Sequence, residues 1–416
     1  MHIRKISLKY YAWIVVGLLW VVALLNYLDR LLIASMRDPI KDSIPMSDAQ
    51  FGLLTSVFLW VYGVLSPFGG YFADKYSRKK VIIFSLFVWS SVTLWTGFVR
   101  SFPEMLIARA IMGISEACYI PAALALIADY HKGRTRSLAT GLHISGLYAG
   151  MALGGVGGFI ADAWGWRYGF QLFGGIGVIY GIIMYFVLKD FPKLQTQDSQ
   201  QTPAEKEIFY EKKISAVDSL RKLFGTGSYL ILLFYNGAIG MVFWLIYSWL
   251  PTYMKEQFHL RLGEAGISAT GFIQIASFIG VIVGGSIADK WAVVNNRGRL
   301  YMPIIGFTIG CPLLFLMAST NVFGIAVGGM IGFGLARGFH DSNLMPIMCQ
   351  VIDKRYRATG YGFLNFTSTV VGGIMVYIGG ALKDASISLS LVFQVSSVVL
   401  LITSWFLLFV KPKSDS

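Results

Sequence analysis

The sequence has little charge. Only 14% of its 416 residues are Asp, Glu, Lys or Arg, whereas 55% are hydrophobic. Soluble domains carry about 25% charged and about 45–50% apolar residues, so the chain is too apolar for a water-soluble enzyme of this size. The same figures exclude a disordered chain and a fibrous repeat. We therefore expect a protein whose main solvent is lipid.

Cysteine is also scarce, and catalytic motifs are missing. Cys118, Cys311 and Cys349 all lie in apolar runs, and an odd number at such positions indicates packing rather than disulfides or a metal site. The sequence shows no nucleophile motif, no paired histidines on a helix face and no phosphate-binding loop. We therefore expect that the protein is not an enzyme and binds no cofactor. The alternative class is a sensor or a membrane enzyme.

Long apolar runs are abundant instead. Each is close to the roughly 20 residues that cross a bilayer as a helix, about twice the length that a barrel strand needs. We therefore predict an all-α integral membrane protein with twelve transmembrane helices. The runs are residues 13–36, 51–73, 81–99, 105–128, 137–160, 168–188, 228–251, 266–288, 301–319, 321–349, 358–382 and 386–410.

The positive charges are distributed unevenly between the two sides of these runs. With the N-terminus in the cytoplasm, most of the 35 Lys and Arg residues fall in inside segments. The positive-inside rule therefore predicts that both termini are cytoplasmic. We expect the membrane to be a bacterial inner membrane. The basic loops would face anionic lipid, so the net charge of +13 needs no nucleic-acid partner.

One long polar loop and two repeated motifs divide the chain into halves. We predict an N-terminal six-helix bundle at 1–188, a cytoplasmic linker at 189–226 and a C-terminal six-helix bundle at 227–416. The first motif, GYFADK, begins at Gly70 and returns as GSIADK from Gly285. The second motif is RSLATG at residues 136–141, which returns as RYRATG at residues 355–360. Duplicated halves of this kind hold a transporter's substrate between them, near the midplane.

The loop GYFADKYSRK, residues 70–79, resembles the signature loop of the major facilitator superfamily, which usually has glycine where this chain has Ser77. The resemblance covers essentially the whole chain and implies the fold of that superfamily. In the superfamily, the acid and the arginine of this loop latch the halves together on the cytoplasmic side. The resemblance therefore implies gating roles for Asp74 and Arg78, and for Asp289 in the second copy. The alternative is that these charges only enforce topology.

Several ionisable residues lie within the apolar runs, where charge is costly and usually faces a cavity or a partner. A carboxylic acid that takes up a proton frees a neighbouring arginine, and arginine binds carboxylate or phosphate through two parallel hydrogen bonds. The set therefore predicts coupled binding of a proton and an anion. Its alternative is static ion pairing, Asp29 with Arg109 or Arg30 with Glu116. The residues are Asp29, Arg30, Arg109, Glu116, Arg337, His340 and Asp341.

The segment NYLDR at residues 26–30, taken with Arg109 and Glu116, resembles the anion:cation symporter family of sialic-acid, hexuronate and galactonate transporters. This resemblance implies proton coupling at Asp29 and Glu116. It implies substrate or coupling roles for Arg30 and Arg109, with Tyr27 beside the substrate. Spinster-like lipid transporters have a similar arrangement, so a lysolipid or amphiphile transporter is an alternative, as is a sugar-phosphate exchanger.

The tenth run departs from the pattern of that family and leaves the substrate open. Its Arg337 and Asp341 are four residues apart and can pair within one helix. We predict a proton-coupled symporter of a small organic anion, a sugar acid, acting as a monomer in the bilayer without cofactor or metal. The residues predicted to bind substrate are Tyr27, Arg30, Tyr62, Arg109, Gln274, Arg337, His340 and Asn365.

Overall fold

A computed structural model describes residues 8–131, 135–191, 216–353 and 356–412, without the side chains of residues 8–9, 70–74, 137, 216–219 and 358. Within these ranges the regular elements are helices, and no β-strand occurs among the described residues. Most of the predicted linker lies outside them, so the division at 189–226 stays a prediction.

The first half of the described chain is built from helices that run back and forth. They are α1 (Leu8–Leu32), a 3₁₀ turn (Ile33–Met36), α2 (Arg37–Ser43), α3 (Asp48–Lys75), α4 (Arg78–Thr96), α5 (Phe102–Glu116), α6 (Tyr119–Tyr130), α7 (Arg136–Leu153), α8 (Val156–Trp164) and α9 (Trp166–Val187).

The second half follows the same plan after a short amphipathic helix. Its elements are α10 (Ala216–Phe224), α11 (Gly227–Phe258), α12 (Leu262–Val294), α13 (Gly298–Ser319), α14 (Phe323–Val351), α15 (Arg357–Asp384), α16 (Leu389–Trp405) and a 3₁₀ turn (Phe406–Phe409).

All twelve predicted runs coincide with helices. In the described part of the chain, nine helical segments are long and apolar enough to cross a membrane, or ten if α7 and α8 count as one span. The remaining two runs correspond to α4 and α14. Three basic residues open α4, and charged residues interrupt α14, which lowers the hydropathy of both. The predicted fold class is confirmed.

Two of the predicted runs are not straight helices. The run 105–128 divides into α5 and α6 directly after Glu116, and the run 137–160 bends by 41° between α7 and α8. The bend lies at Gly154 and Gly155. A Cβ atom on Gly155 would lie 2.3 Å from the backbone of Gly266 in α12, so this close approach requires glycine. Hydropathy does not register either interruption.

Glycines at four-residue spacing form a flat face along α7 and α8, as such spacing predicts for close helix contact. A Cβ atom on Gly150 would lie 2.2 Å from the carbonyl oxygen of Leu24 in α1. A Cβ atom on Gly158 would lie 2.4 Å from the carbonyl oxygen of Leu262 in α12. This face therefore packs α7 against its own half and α8 against the other half.

Replacing Gly150 by Ala is expected to destabilise the protein, because the added methyl group meets backbone that cannot rotate away. Overpacking of this kind costs about 1–3 kcal/mol, which should lower the melting temperature in detergent by several degrees. Gly141→Ala, on the same helix, is the matched control, since nothing lies within 4 Å of its Cβ position. Equal melting temperatures for the two variants would contradict this packing.

The halves meet along two helix pairs, α3 with α15 and α7–α8 with α12. On the predicted outer side, Asp38 of α2 forms an ion pair with Lys255 at the end of α11. Deeper in the interface, Trp60 of α3 donates a 3.2 Å hydrogen bond to the carbonyl oxygen of Val370 in α15. The space enclosed between these helix pairs holds the candidate site.

Candidate functional site

A cavity of about 160 Å³ lies between the halves. Its walls come from α1, α3 and α7 of the first half and from α11, α14 and α15 of the second half. Six of the residues predicted to bind substrate line it, and they are Tyr27, Arg30, Tyr62, Arg337, His340 and Asn365. The structure therefore brings together predicted residues from four different helices.

Arg30 is held between a carboxylate and aromatic rings. Its Nε atom donates to Oε2 of Glu116 at 2.5 Å, and both side chains are buried. The guanidinium carbon lies 4.5 Å from the ring centres of Tyr27 and Tyr62 and 5.1 Å from that of Phe58. Cation–π contacts of this kind stabilise a desolvated arginine. Glu116, at the end of α5, therefore controls a cation in the cavity wall without lining the cavity itself.

Asp29 and Arg109 are buried but do not form an ion pair with each other in the described structure. Oδ2 of Asp29 accepts a 3.3 Å hydrogen bond from Thr93 of α4. Nε of Arg109 donates to the carbonyl oxygen of Leu54 at 3.3 Å, and its guanidinium carbon lies 4.9 Å from the ring centre of Phe58. Neither residue lines the cavity. The ring of Phe58 contacts the guanidinium groups of both Arg109 and Arg30.

Arg337 is an arginine of the second half that also lines the cavity. Its Nε lies 3.2 Å from Oδ2 of Asp341, one helical turn further along α14. Its Nη1 donates to Oε1 of Gln274 at 3.2 Å, which places Gln274 behind Arg337 and away from the cavity wall. The guanidinium carbon lies 4.7 Å from the ring centre of Phe243 and 4.8 Å from that of Tyr247. The intrahelical pair and the exposure of Arg337 to the cavity therefore coexist.

Asp341 links the halves at the cavity. Its Oδ2 accepts a 2.7 Å hydrogen bond from the hydroxyl of Tyr148 on α7, and its side chain is 26% exposed. His340 is buried and shares a 2.8 Å hydrogen bond with the hydroxyl of Tyr235. Asn365 donates to Ser66 across the halves at 3.2 Å. Two contacts between the halves, Tyr148 with Asp341 and Asn365 with Ser66, therefore lie at the cavity.

The predicted gating residues lie away from the cavity. Arg78 forms an ion pair with Asp129 at the end of α6, in its own half. Asp289 pairs with Arg299 of α13 at 2.9 Å and is 72% exposed. The side chain of Asp74 lies outside the described residues. Neither described contact reaches the opposite half, so the gating roles stay predictions.

Sequence reasoning missed two aromatic partners of the arginines, Phe58 beside Arg30 and Phe243 beside Arg337. Phe58 and Tyr62 are four residues apart on α3, and Phe243 and Tyr247 are four residues apart on α11. Residues at this spacing share a helix face, and each pair flanks one cavity arginine. Aromatic pairs at i and i+4 in spans opposite a buried arginine are the signal that could have found them.

The chain resembles curated transporters over most of its length. It is 25% identical over 406 residues to the probable sulfoacetate transporter SauU of Cupriavidus necator, covering 96% of this chain and 93% of that protein. It is 25% identical over 331 residues to the probable galactarate/D-glucarate transporter GarP of Escherichia coli K12, covering 74% of each. It is 26% identical over 390 residues to protein spinster homolog 1 of Xenopus laevis, covering 89% and 73%.

The fold is also found in a solved structure. A bacterial homolog of the human lysosomal transporter spinster, in an inward-facing and unoccupied conformation, matches with a TM-score of 0.79 at 20% identity. The match covers 98% of this chain and 99% of that one. The family model of the Major Facilitator Superfamily matches residues 19–376. The chain therefore belongs to the major facilitator superfamily and is a multi-pass membrane transporter, not an enzyme.

Proposed function

We propose that this transporter is a proton-coupled symporter of a small organic anion, a sugar acid, in the bacterial inner membrane. The observation that carries the proposal is the buried pair of Arg30 with Glu116, in which the arginine faces the cavity and the carboxylate does not. A buried charge that loses its partner is costly. When a proton neutralises Glu116, Arg30 becomes a free cation in the cavity wall, and an anion stabilises it there.

The transport cycle follows from this competition. A proton from the outside neutralises Glu116, the anion binds Arg30, and the loaded cavity then opens to the cytoplasm. After the anion leaves, the protonated Glu116 releases its proton to the cytoplasm, and the resulting carboxylate pairs with Arg30 again. Asp29 is the second candidate proton carrier. In the outward-facing state, Asp74, Arg78 and Asp289 close the cytoplasmic side. The protein acts as a monomer, and both termini are cytoplasmic.

The names of the relatives support an anionic substrate. SauU is described as a probable sulfoacetate transporter and GarP as a probable galactarate/D-glucarate transporter. Both substrates are small acids. A cavity of about 160 Å³ also suits a compact solute better than a lipid with an acyl chain.

A spinster-like amphiphile transporter is the second candidate, because the spinster homolog structure matches nearly the whole chain. Uptake into proteoliposomes separates the two. We expect an inward proton gradient to drive accumulation of one of sulfoacetate, galactarate or galactonate, and collapse of the gradient by a protonophore to stop it. Transport of a lysophospholipid with no response to these acids would support the second candidate and overturn the first.

A further inference from the structure

Two arginines face the cavity, and they come from opposite halves. Arg30 belongs to α1 and Arg337 to α14. Each is held along one edge by a carboxylate, Glu116 for Arg30 and Asp341 for Arg337. Each also lies against an aromatic pair. The cavity therefore has one anion-binding group at each side, of the same construction.

Both arginines keep unused donors. A guanidinium group has five N–H donors. Nη1 of Arg337 donates to Gln274, whereas its Nε lies 3.2 Å from Asp341 and has no hydrogen-bond partner among the described residues. Nη2 of Arg30 is buried and has no hydrogen-bond partner among the described residues. The hydroxyl of Tyr247, whose ring lies under Arg337, is also buried without one in the described part of the chain. Buried polar groups are normally satisfied, so these donors can take an acceptor group of a bound solute at both places.

We propose that the substrate is a compact dianion with acidic groups at its two ends, one for Arg30 and one for Arg337. This inference rests on the proposed function and narrows it to diacids, either dicarboxylates or sulfonate–carboxylates. Arg337 is then the residue that selects diacids over monoacids, because a monoacid is fully bound by Arg30. Asp341 orients Arg337 and keeps its contact with Tyr148.

Galactonate and galactarate test this inference, since they share a six-carbon chain and differ in having one or two carboxylates. We expect galactarate to bind the purified wild type at least about tenfold more tightly, the effect of one charge-assisted hydrogen bond. Arg337→Gln should weaken galactarate binding more than galactonate binding and so remove this preference, because only the diacid has a second acidic group for Arg337. Arg337→Lys keeps the charge, so it should retain part of the preference. Arg100→Gln, at an exposed arginine of the predicted outer loop, is the control.

The possible results distinguish a failure of this inference from a failure of the proposed symport. Equal binding of the two acids, or equal weakening of both by Arg337→Gln, overturns the dianion and leaves anion symport standing. Binding of neither acid, together with no proton-driven uptake of sulfoacetate, overturns symport itself. Retained preference in a well-folded Arg337→Gln variant removes Arg337 from the selection of substrate.

A second and independent feature lies on the predicted outer side, where two carboxylates cap helices of the opposite half. Asp384, at the end of α15, accepts hydrogen bonds from the backbone N–H groups of Asp48 and Ala49 at the start of α3, both at 2.8 Å. Asp162, near the end of α8, accepts one from the N–H of Gly263 at the start of α12, at 3.2 Å. Helix N-termini have unpaired N–H groups and a positive dipole end, which favour such carboxylates.

The two caps are related by the internal repeat. The repeated motifs show that α3 corresponds to α12 and that the α7–α8 segment corresponds to α15. Each cap therefore joins the fifth span of one half to the second span of the other half. The Asp38–Lys255 ion pair lies on the same side and also joins the halves. We infer that Asp384 and Asp162 form one outer latch that holds the extracellular side closed and opens as a unit.

Hydrogen exchange distinguishes a latch from two local caps. Asp384→Ala removes the cap on α3, and we expect faster exchange at the start of α3 and also at the start of α12, which is capped by Asp162. Asp42→Ala, at an exposed acid on the same side, should change neither. Faster exchange confined to α3 would mean that Asp384 caps one helix only, and the latch would be discarded. Unchanged exchange at both helices would have the same consequence.

Discussion

Replacing Glu116 by Gln is expected to make anion binding independent of pH and to abolish accumulation driven by a proton gradient. Glutamine has the shape of the protonated acid and carries no charge, so Arg30 is permanently free to bind the anion. In the wild type, the anion binds the protonated form. Anion affinity should therefore fall as the pH rises, by up to about tenfold per pH unit for one coupled proton.

Binding isotherms between pH 6 and pH 8 and uptake into proteoliposomes measure the two effects. The variant should give one affinity across this range and should still exchange labelled anion for unlabelled anion. Glu104→Gln is the matched control, because Glu104 lies in the first turn of the same helix, away from the cavity. A Glu116→Gln variant that still accumulates anion against its gradient would remove Glu116 from proton coupling.

The sequence was sufficient for the helices and for six of the residues that line the cavity. An apolar run that crosses lipid forms a helix, because a helix satisfies the hydrogen bonds of its own backbone groups. A buried charge also needs a cavity or a partner, which is why Arg30 and Arg337 could be placed near the site. Four-residue spacing likewise predicted the contact of Arg337 with Asp341.

Contacts between helices could not be predicted in the same way. The hydrogen bond of Tyr148 to Asp341 joins residues 193 positions apart, and no local pattern encodes that distance. The sequence also offered two possible pairs between helices, Asp29 with Arg109 and Arg30 with Glu116, without deciding which of them forms. The structure pairs Arg30 with Glu116 because α5 ends at Glu116 and directs its side chain toward α1. Which side chains meet depends on how each helix is rotated about its own axis. That rotation is set by the packing of the whole bundle and not by the local sequence.

Arg30→Lys and Arg109→Lys are expected to have different effects on KM. Both substitutions keep the charge, and both arginines were predicted from one motif. Lysine cannot make the two parallel hydrogen bonds of a guanidinium group. Arg30 lines the cavity, so its replacement should raise KM by about 10- to 100-fold, as expected for the loss of a charge-assisted contact with substrate.

Arg109 lies behind Phe58 and contacts the backbone of Leu54, away from the cavity wall. Of the two roles that its motif implies, this position favours coupling over direct substrate contact. Arg109→Lys should therefore leave KM within about threefold of wild type and shift the pH dependence of uptake, since its charge acts on the buried carboxylates rather than on the anion. Initial rates of uptake at several substrate concentrations, each measured at pH 6 and pH 8, give both parameters. A large rise in KM for Arg109→Lys, with an unchanged KM for Arg30→Lys, would mean that the anion binds on the far side of Phe58.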